Sequence, residues 1–156
     1  MSHYQAVIEW ARETGAGFTD HKYSRGHTWT FDGGAVVPAS SSPHVVPLPG
    51  SVEANVDPEE AFIASLSSCH MLFYLSRCAG RGFVVDRYRD EAEGEMGKCA
   101  DGRIAMLRVV LRPRVTYSGR APDRATEAAM HHESHERCFI ANSVTTEVQT
   151  DLGPAA

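Results

Sequence analysis

The chain has 156 residues, of which 42% are hydrophobic, so it is the size of one domain and can bury a core. Its 15 basic and 20 acidic residues give a net charge of -5, and neither sign forms a long block, so we expect neither nucleic acid nor an anionic membrane as a partner. The sequence contains no run of the about 20 apolar residues that cross a bilayer, and its N-terminus lacks the pattern of a signal peptide. These features predict a soluble, cytoplasmic protein.

The first 55 residues predict short strands followed by a long loop. Residues 4–10 loosely alternate apolar and polar side chains, and residues 27–31 do so weakly before an Asp-Gly-Gly turn at residues 32–34. Residues 38–55 are too rich in proline and serine for regular structure, so we expect a long surface loop there. Such a loop either borders an active site or serves as a mobile connector, and the sequence leaves both interpretations open.

The residues that begin at Asp57 have the pattern of a helix N-terminus and predict a helix over residues 57–81. Asp57 suits the N-cap, Pro58 the first helical position and Glu60 the third, where its carboxylate closes a capping box. Apolar side chains then recur at intervals of three and four residues until two glycines end the pattern. Cys69 is therefore expected in the middle of this helix, on or beside its buried face.

The second half of the chain predicts two long strands, a second helix and a closing strand. The two strands lie within residues 83–117 and are joined by a turn at residues 96–102. The helix follows over residues 122–138 and the last strand over residues 142–150. This order of elements favours a single α+β domain, residues 1–156, in which helices pack on antiparallel sheet.

The four cysteines, Cys69, Cys78, Cys99 and Cys138, are too few and too widely spaced for a disulfide framework, so we expect free thiols. A reactive cysteine must be a thiolate, which a nearby cation or a helix N-terminus stabilises. Because Cys69 lies in mid-helix, it needs a cation from elsewhere, and Arg25 is the candidate. The alternative is a buried, structural Cys69, since cysteine is commonly buried. We interpret Cys78 and Cys99 as structural.

A histidine-rich stretch, residues 131–138, ends at Cys138 and allows three interpretations. Cys138 can be a redox partner at the end of a polar helix, where solvent reaches it. His131, His135 and Cys138 stand four and three residues apart on one helix face, so they can instead bind a metal ion. The third interpretation is a helix that is merely rich in histidine.

Glu59 has two interpretations. In the first turn of a helix, its carboxylate stabilises the helix dipole by about 0.3–1 kcal/mol whatever the function of the protein. Glu59 stands ten residues before Cys69, which is almost three helical turns. The two side chains can therefore act at one point only if a third group, such as an arginine, bridges them.

Four short motifs resemble the OsmC/Ohr family of osmotically inducible and organic hydroperoxide resistance proteins. They are Asp-Pro-Glu-Glu-Ala-Phe at residues 57–62, Ser-Ser-Cys-His-Met at 67–71, His-Glu-Arg-Cys at 135–138 and Asn-Ser at 142–143. The resemblance covers the chain well from residue 57 to 148 and the first 55 residues more loosely. It implies the OsmC-like fold, with antiparallel sheets packed around two central helices, in an intertwined homodimer whose active sites lie at the subunit interface.

The resemblance also implies a thiol-dependent peroxidase, an oxidoreductase without cofactor or metal, that reduces organic (alkyl or lipid-derived) hydroperoxides. In the family, the cysteine that matches Cys69 becomes a sulfenic acid, and the one that matches Cys138 condenses with it to a disulfide. The family's glutamate matches Glu59, and its arginine matches Arg25, with Arg12 as the other candidate; the glutamate and arginine form an ion pair over the thiolate. A dithiol reduces the disulfide, a lipoyl group being best suited in the Ohr branch.

The sequence departs from the best-studied branches beside both cysteines, which leaves the preferred hydroperoxide and the reductant open. His70 stands where those branches usually have Phe, and Phe139 where they have Pro. We expect five side chains to shape the substrate pocket: Phe62, Leu66, His70, Phe73 and His135. The alternatives to a peroxidase are a noncatalytic dimeric small-molecule-binding protein of the same fold and a metal site at residues 131–138.

Overall fold

The computed structural model describes residues 1–154 and divides the chain into two compact units, Met1–Ala61 and the residues from Phe62 onward. The combination of helices with mainly antiparallel strands confirms the predicted α+β class. Among residues 1–154, no helix is both long enough and apolar enough to cross a membrane. The elements in chain order are β1 (Ala6–Glu9), β2 (His27–Phe31), β3 (Val36–Ala39), α1 (Pro58–Gly80), β4 (Val84–Asp90), β5 (Glu93–Lys98), β6 (Ile104–Leu111), β7 (Pro113–Ser118), α2 (Arg124–Arg137) and β8 (Glu147–Thr150).

The first unit is built on a three-stranded antiparallel sheet in the order β1-β2-β3. β1 pairs with β2 from Ala6 opposite Phe31 to Glu9 opposite Thr28. The predicted Asp-Gly-Gly turn joins β2 to β3, and its Gly34 has a φ of 84°, where a side chain is disfavoured. Both predicted strands and the hairpin turn are therefore confirmed.

The segment between β3 and α1 is less exposed than its proline and serine content predicts. Ser40, Ser42 and Ser51 are buried, and the Ser40 hydroxyl accepts a hydrogen bond from the Val52 N–H at 2.9 Å. The Ser40 hydroxyl thus satisfies a main-chain group inside the segment, which helps part of it to be buried. The prediction of a surface loop over residues 38–55 is wrong in that respect.

Helix α1 has nearly the predicted bounds. The Asp57 carboxylate accepts a hydrogen bond from the Glu60 N–H at 2.7 Å, and the Glu60 carboxylate accepts one from the Asp57 N–H at 3.2 Å, which closes the predicted capping box. The buried side chains of the helix stand four residues apart and are Leu66, His70, Tyr74 and Cys78. Cys69 lies beside this buried stripe and is half-buried, so solvent reaches it.

The two long strands predicted within residues 83–117 are four shorter strands in two sheets. β4 pairs with β7 and β5 pairs with β6, both antiparallel. Asp90 marks the division, because its carboxylate accepts hydrogen bonds from the Arg112 N–H at 2.6 Å and the Ser67 hydroxyl at 2.5 Å. Pro113, which has no N–H to donate, begins β7 immediately afterwards. The division depends on Ser67, which is distant in sequence, and strand alternation does not reveal it.

Helix α2 begins at Arg124, where the N-cap Asp123 accepts a hydrogen bond from the Thr126 N–H at 2.7 Å. It ends at Arg137, so Cys138 is its C-cap. A 3₁₀ turn at Ala141–Ser143 precedes β8, which is shorter than predicted and pairs in parallel with β6. The sheet β5-β6-β8 is therefore mixed, and the expectation of wholly antiparallel sheets is wrong for this strand.

The second unit contains two hydrophobic clusters, and α1 contributes to both. One cluster consists of Tyr74, Cys78, Phe83 and Met130, and the other of Leu66, Val109 and Leu111. Because Leu66 precedes Cys69 and Tyr74 follows it, the helical turn that carries the cysteine is anchored on both sides.

Candidate functional site

The structure brings Cys69 and Cys138 together although they are 69 residues apart in sequence. Cys69 lies in α1 and is half-buried, whereas Cys138 at the end of α2 is buried with 1% exposure. Both are free thiols, and they lie close enough that the Cys69 side chain affects the ionisation of Cys138. Burial, and then the neighbouring Cys69 side chain, raises the pKa of Cys138 above its ordinary value. The pair thus consists of one thiol that solvent reaches and one thiol behind it that is held protonated.

The chain after α2 fixes the position of the Cys138 sulfur. The Ala141 N–H donates to this sulfur at 3.4 Å, and the Asn142 N–H donates to the Cys138 carbonyl at 2.9 Å. The Asn142 side-chain amide donates to the Glu136 carbonyl at 3.0 Å. The Asn-Ser motif therefore has a local structural role, because it folds the chain back over the cysteine. The expectation that solvent reaches Cys138 is wrong, since this turn covers it.

An apolar cavity of about 470 Å³ opens beside Cys69. Its lining consists of Ser65, Ser68, Cys69, Leu72, Phe73, Ser76, Phe139 and Ile140. The rings of Phe73 and Phe139 meet edge to face, with centroids 5.1 Å apart, and Leu72 and Phe139 are exposed. The accessible thiol therefore faces a surface that suits an apolar molecule.

Of the five side chains predicted to shape a pocket, Phe73 lines this cavity. Phe62 packs against the cluster of Leu66, Val109 and Leu111, in which Leu66 itself is buried. His70 is buried and His135 lines a different cavity. The structure thus places these four outside the described lining of the Cys69 cavity; Leu66 and His70 belong to the buried stripe of α1, and His135 lies on α2.

Sequence reasoning missed Leu72, Phe139 and Ile140 as lining residues. Leu72 belongs to the apolar pattern of α1, but it is 63% exposed. The one sequence feature that could have indicated this lining is the apolar pair Phe139 and Ile140, directly after Cys138. Two consecutive apolar side chains at a helix end, beside a cysteine, are compatible with a pocket wall as well as with a core.

Two buried histidines, His70 and His131, join the helices of the second unit. The His70 Nε2 and the His131 Nδ1 are 2.9 Å apart and share a hydrogen bond, and the ring of Tyr74 stacks on that of His131 at 3.8 Å. Burial, and then the charge of His135, lowers the pKa of His70 to about 4. Burial, and then the charges of His70 and Arg124, lowers the pKa of His131 to about 3. Both rings are therefore neutral near neutral pH.

We predict that the folded state loses stability as the pH falls from about 6.5 to about 4. Unfolded histidines take up protons in this range, whereas His70 and His131 stay largely neutral in the folded state, so protonation favours unfolding by about 3 kcal/mol per histidine. Urea denaturation at pH 7, 5.5 and 4.5 measures how the free energy of unfolding changes with pH. Replacing both residues by Phe should reduce this pH dependence, whereas the exposed His132→Gln should leave it unchanged. A double variant with the wild-type pH dependence contradicts the prediction.

The metal interpretation of the histidine-rich stretch is not supported. Within residues 1–154, no group of three or more His, Cys, Asp or Glu side chains is arranged to hold a metal ion. His131 bonds with His70, and the Cys138 sulfur accepts a hydrogen bond from the Ala141 N–H. The three residues of the alternative metal site, His131, His135 and Cys138, therefore do not form one cluster.

A second apolar cavity, of about 480 Å³, lies in the first unit and contains the other two predicted site residues, Arg25 and Glu59. Its lining consists of Ile8, Trp10, Phe18, Tyr23, Arg25, His27, Ser40, Ser41, Pro58 and Glu59. The rings of Phe18 and Tyr23 stack with centroids 4.6 Å apart, which gives the cavity an aromatic wall. Arg25 and Glu59 therefore line the same cavity.

The expected ion pair between Arg25 and Glu59 is not formed. The Arg25 guanidinium carbon lies 3.8 Å from the centre of the Tyr23 ring, and the guanidinium donates to the carbonyls of His21, at 2.8 Å, and Tyr23. The Glu59 Oε2 is buried and has no hydrogen-bond partner in the described part of the chain. Arg12, the other candidate, donates to the Ala16 carbonyl.

Comparison with known proteins gives a family match and several similar structures. The model of the OsmC-like protein family matches residues 50–153. An OsmC-like protein of unknown function from Vibrio cholerae is 55% identical, with 97% of this chain and 99% of that chain covered and a TM-score of 0.95. Comparison with the curated proteins finds no match.

More distant structures share the fold. The organic hydroperoxide resistance protein OhrB of Bacillus subtilis is 16% identical, with 97% and 98% of the two chains covered and a TM-score of 0.70. An organic hydroperoxide resistance protein OsmC from Legionella pneumophila is 14% identical, with 100% of each chain covered and a TM-score of 0.67. Since the family model matches most of the chain and the Vibrio structure matches it almost from end to end, the chain belongs to the OsmC family.

Proposed function

We propose that the protein is a thiol-dependent peroxidase that reduces organic hydroperoxides, with Cys69 as the nucleophile and Cys138 as the resolving thiol. The observation that carries the proposal is the pair of neighbouring free thiols, of which Cys69 is half-buried beside an apolar cavity and Cys138 is buried. The organic hydroperoxide resistance proteins with the same fold, at 14% and 16% identity, support the choice of reaction.

The first step of the proposed reaction oxidises Cys69. Its thiolate attacks the terminal oxygen of the hydroperoxide, the O–O bond breaks, and the leaving alkoxide takes a proton to become the alcohol. The sulfur gains the oxygen and becomes a sulfenic acid. The peroxide is thereby reduced by two electrons.

The second step closes a disulfide, and an external dithiol then opens it. The Cys138 thiol loses its proton and attacks the Cys69 sulfur, the S–O bond breaks, and hydroxide leaves with that proton as water. The raised pKa of Cys138 keeps it protonated before oxidation, so it does not compete as the first nucleophile. A dithiol such as a lipoyl group returns both cysteines to thiols by exchange and is itself oxidised to a disulfide.

Arg25 and Glu59 are part of the proposed catalytic machinery of a homodimer. An arginine is charged at any working pH, so it can stabilise both the thiolate and the developing alkoxide. The unpartnered Glu59 oxygen is available to bind the guanidinium once Arg25 leaves the ring of Tyr23. The proposal therefore requires Arg25 to move during the catalytic cycle.

Peroxide consumption by the wild-type protein, with dihydrolipoamide as reductant, tests the proposed function. The same assay with the Phe139→Ala variant tests the role of the cavity. We expect this variant to lower kcat/KM for cumene hydroperoxide about fivefold, because the ring of Phe139 contacts the organic group, and to leave kcat/KM for hydrogen peroxide unchanged. Phe139 is 72% exposed, so its removal should cost little stability. An equal loss with both peroxides contradicts the assignment of the cavity. A wild-type protein that consumes neither peroxide instead favours the noncatalytic binding protein.

A further inference from the structure

A small cavity between α2 and β8 has no part in the proposed thiol chemistry. Its volume is about 240 Å³, and its lining consists of Ala128, His131, His132, His135, Val148, Thr150 and Leu152. None of these is a cysteine, and none lines the cavity beside Cys69. The lining combines imidazole and hydroxyl groups with three small or branched apolar side chains.

One nitrogen at this cavity is buried and unsatisfied. His131 is 2% exposed, and its Nδ1 shares the hydrogen bond with the His70 Nε2. The His131 Nε2 has no hydrogen-bond partner among residues 1–154. An unpaired polar atom inside a protein is unfavourable, so a molecule in the cavity that bonds with this nitrogen gains free energy by satisfying it.

The charges around the cavity favour an anion. The described lining includes no carboxylate, whereas the charge of Arg124 acts on His131, and its guanidinium donates to the Leu152 carbonyl at 3.1 Å. The Tyr74 ring stacks on His131 from α1. Two acidic side chains of α2 contact the residues around the cavity: the Glu127 carboxylate lies 3.4 Å from the Arg124 Nη1, and the Glu136 carboxylate lies 3.5 Å from the His132 Nε2.

We propose that this cavity binds a small organic carboxylate. The His131 Nε2–H and the Thr150 hydroxyl donate to the carboxylate oxygens, and Val148 and Leu152 contact a short hydrocarbon group. For His131 to donate through Nε2, its Nδ1 must accept from the His70 Nε2–H. The carboxylate therefore selects one tautomer of both buried histidines.

Imidazole ¹⁵N NMR of the full-length protein tests this proposal, with sodium propionate as the probe and sodium chloride keeping the ionic strength constant. We expect the His131 resonances to shift saturably toward the Nε2–H tautomer, with a Kd of about 1 mM or tighter. Thr150→Val removes one donor at nearly constant volume and should weaken binding about two- to tenfold. His44→Gln, at an exposed position outside the cavity, should have no effect.

Three results overturn the proposal. The first is an absence of saturable shifts in the wild-type protein, as expected if water alone occupies the cavity. The second is equal affinity of the wild type and Thr150→Val. The third is inorganic phosphate binding as tightly as propionate, which shows a general anion site without selection for an organic group. Cys69→Ser should bind propionate like the wild type, so the result is independent of the proposed peroxidase activity.

Discussion

Replacing Cys69 by serine is expected to lower the rate of hydroperoxide consumption about a thousandfold or more, to the uncatalysed background. The reason is that Cys69 is the member of the thiol pair that solvent reaches and that lines the apolar cavity. Cys138 cannot replace it, because burial holds that thiol protonated and the turn after α2 covers it. The loss should appear with cumene hydroperoxide and hydrogen peroxide alike, since both require the nucleophile.

The matched control for this variant is Cys99→Ser. Cys99 is also half-buried and free, but it lies in the turn after β5, and neither described apolar cavity includes it. We expect this variant to keep wild-type activity. Circular dichroism and urea denaturation of both variants check that they fold. A Cys69→Ser protein that is folded and still active excludes Cys69 as the nucleophile.

Replacing Cys138 by serine is expected to preserve the first turnover and to block the cycle after it. Serine keeps a small polar group that can accept the hydrogen bond from Ala141, so the turn should remain folded. Cys69 can still reduce one equivalent of hydroperoxide, but its sulfenic acid then has no neighbouring thiol. Because resolution becomes a bimolecular reaction with external thiol, steady-state turnover should fall about 100-fold or more.

Single-turnover kinetics separate this outcome from a general loss of activity. One equivalent of alcohol should form at close to the wild-type rate, and dimedone should then label Cys69 as the sulfenic acid. A Cys138→Ser protein with wild-type steady-state turnover contradicts the resolving role. Loss of the first turnover as well contradicts the claim that Cys69 reduces the hydroperoxide without Cys138.

Local sequence signals predicted the elements that carry the site. The capping box at Asp57 and Glu60 places α1, because a cap depends on residues within one turn, and α2 begins two residues after its predicted start. The same signals place Cys69 in mid-helix and Cys138 at a helix end. The resemblance to the OsmC family then supplied the expectation that the two sulfur atoms meet, which periodicity alone does not give.

Features that depend on contacts distant in sequence were not predictable in this way. The Asp90 carboxylate divides the long strands through bonds to Ser67 and Arg112, which lie in different elements. The bond between His70 and His131 joins residues 61 positions apart, and both were expected at or near a functional surface. A polar side chain in a helical pattern does not show whether a partner on another helix satisfies it.

The measurement that tests the central claim most directly is the intact mass of the protein before and after one equivalent of cumene hydroperoxide, followed by peptide mapping without reduction. The proposed reaction predicts the loss of two hydrogens and a single disulfide between Cys69 and Cys138. A stable gain of one oxygen, a disulfide through Cys78 or Cys99, or an unchanged mass contradicts it.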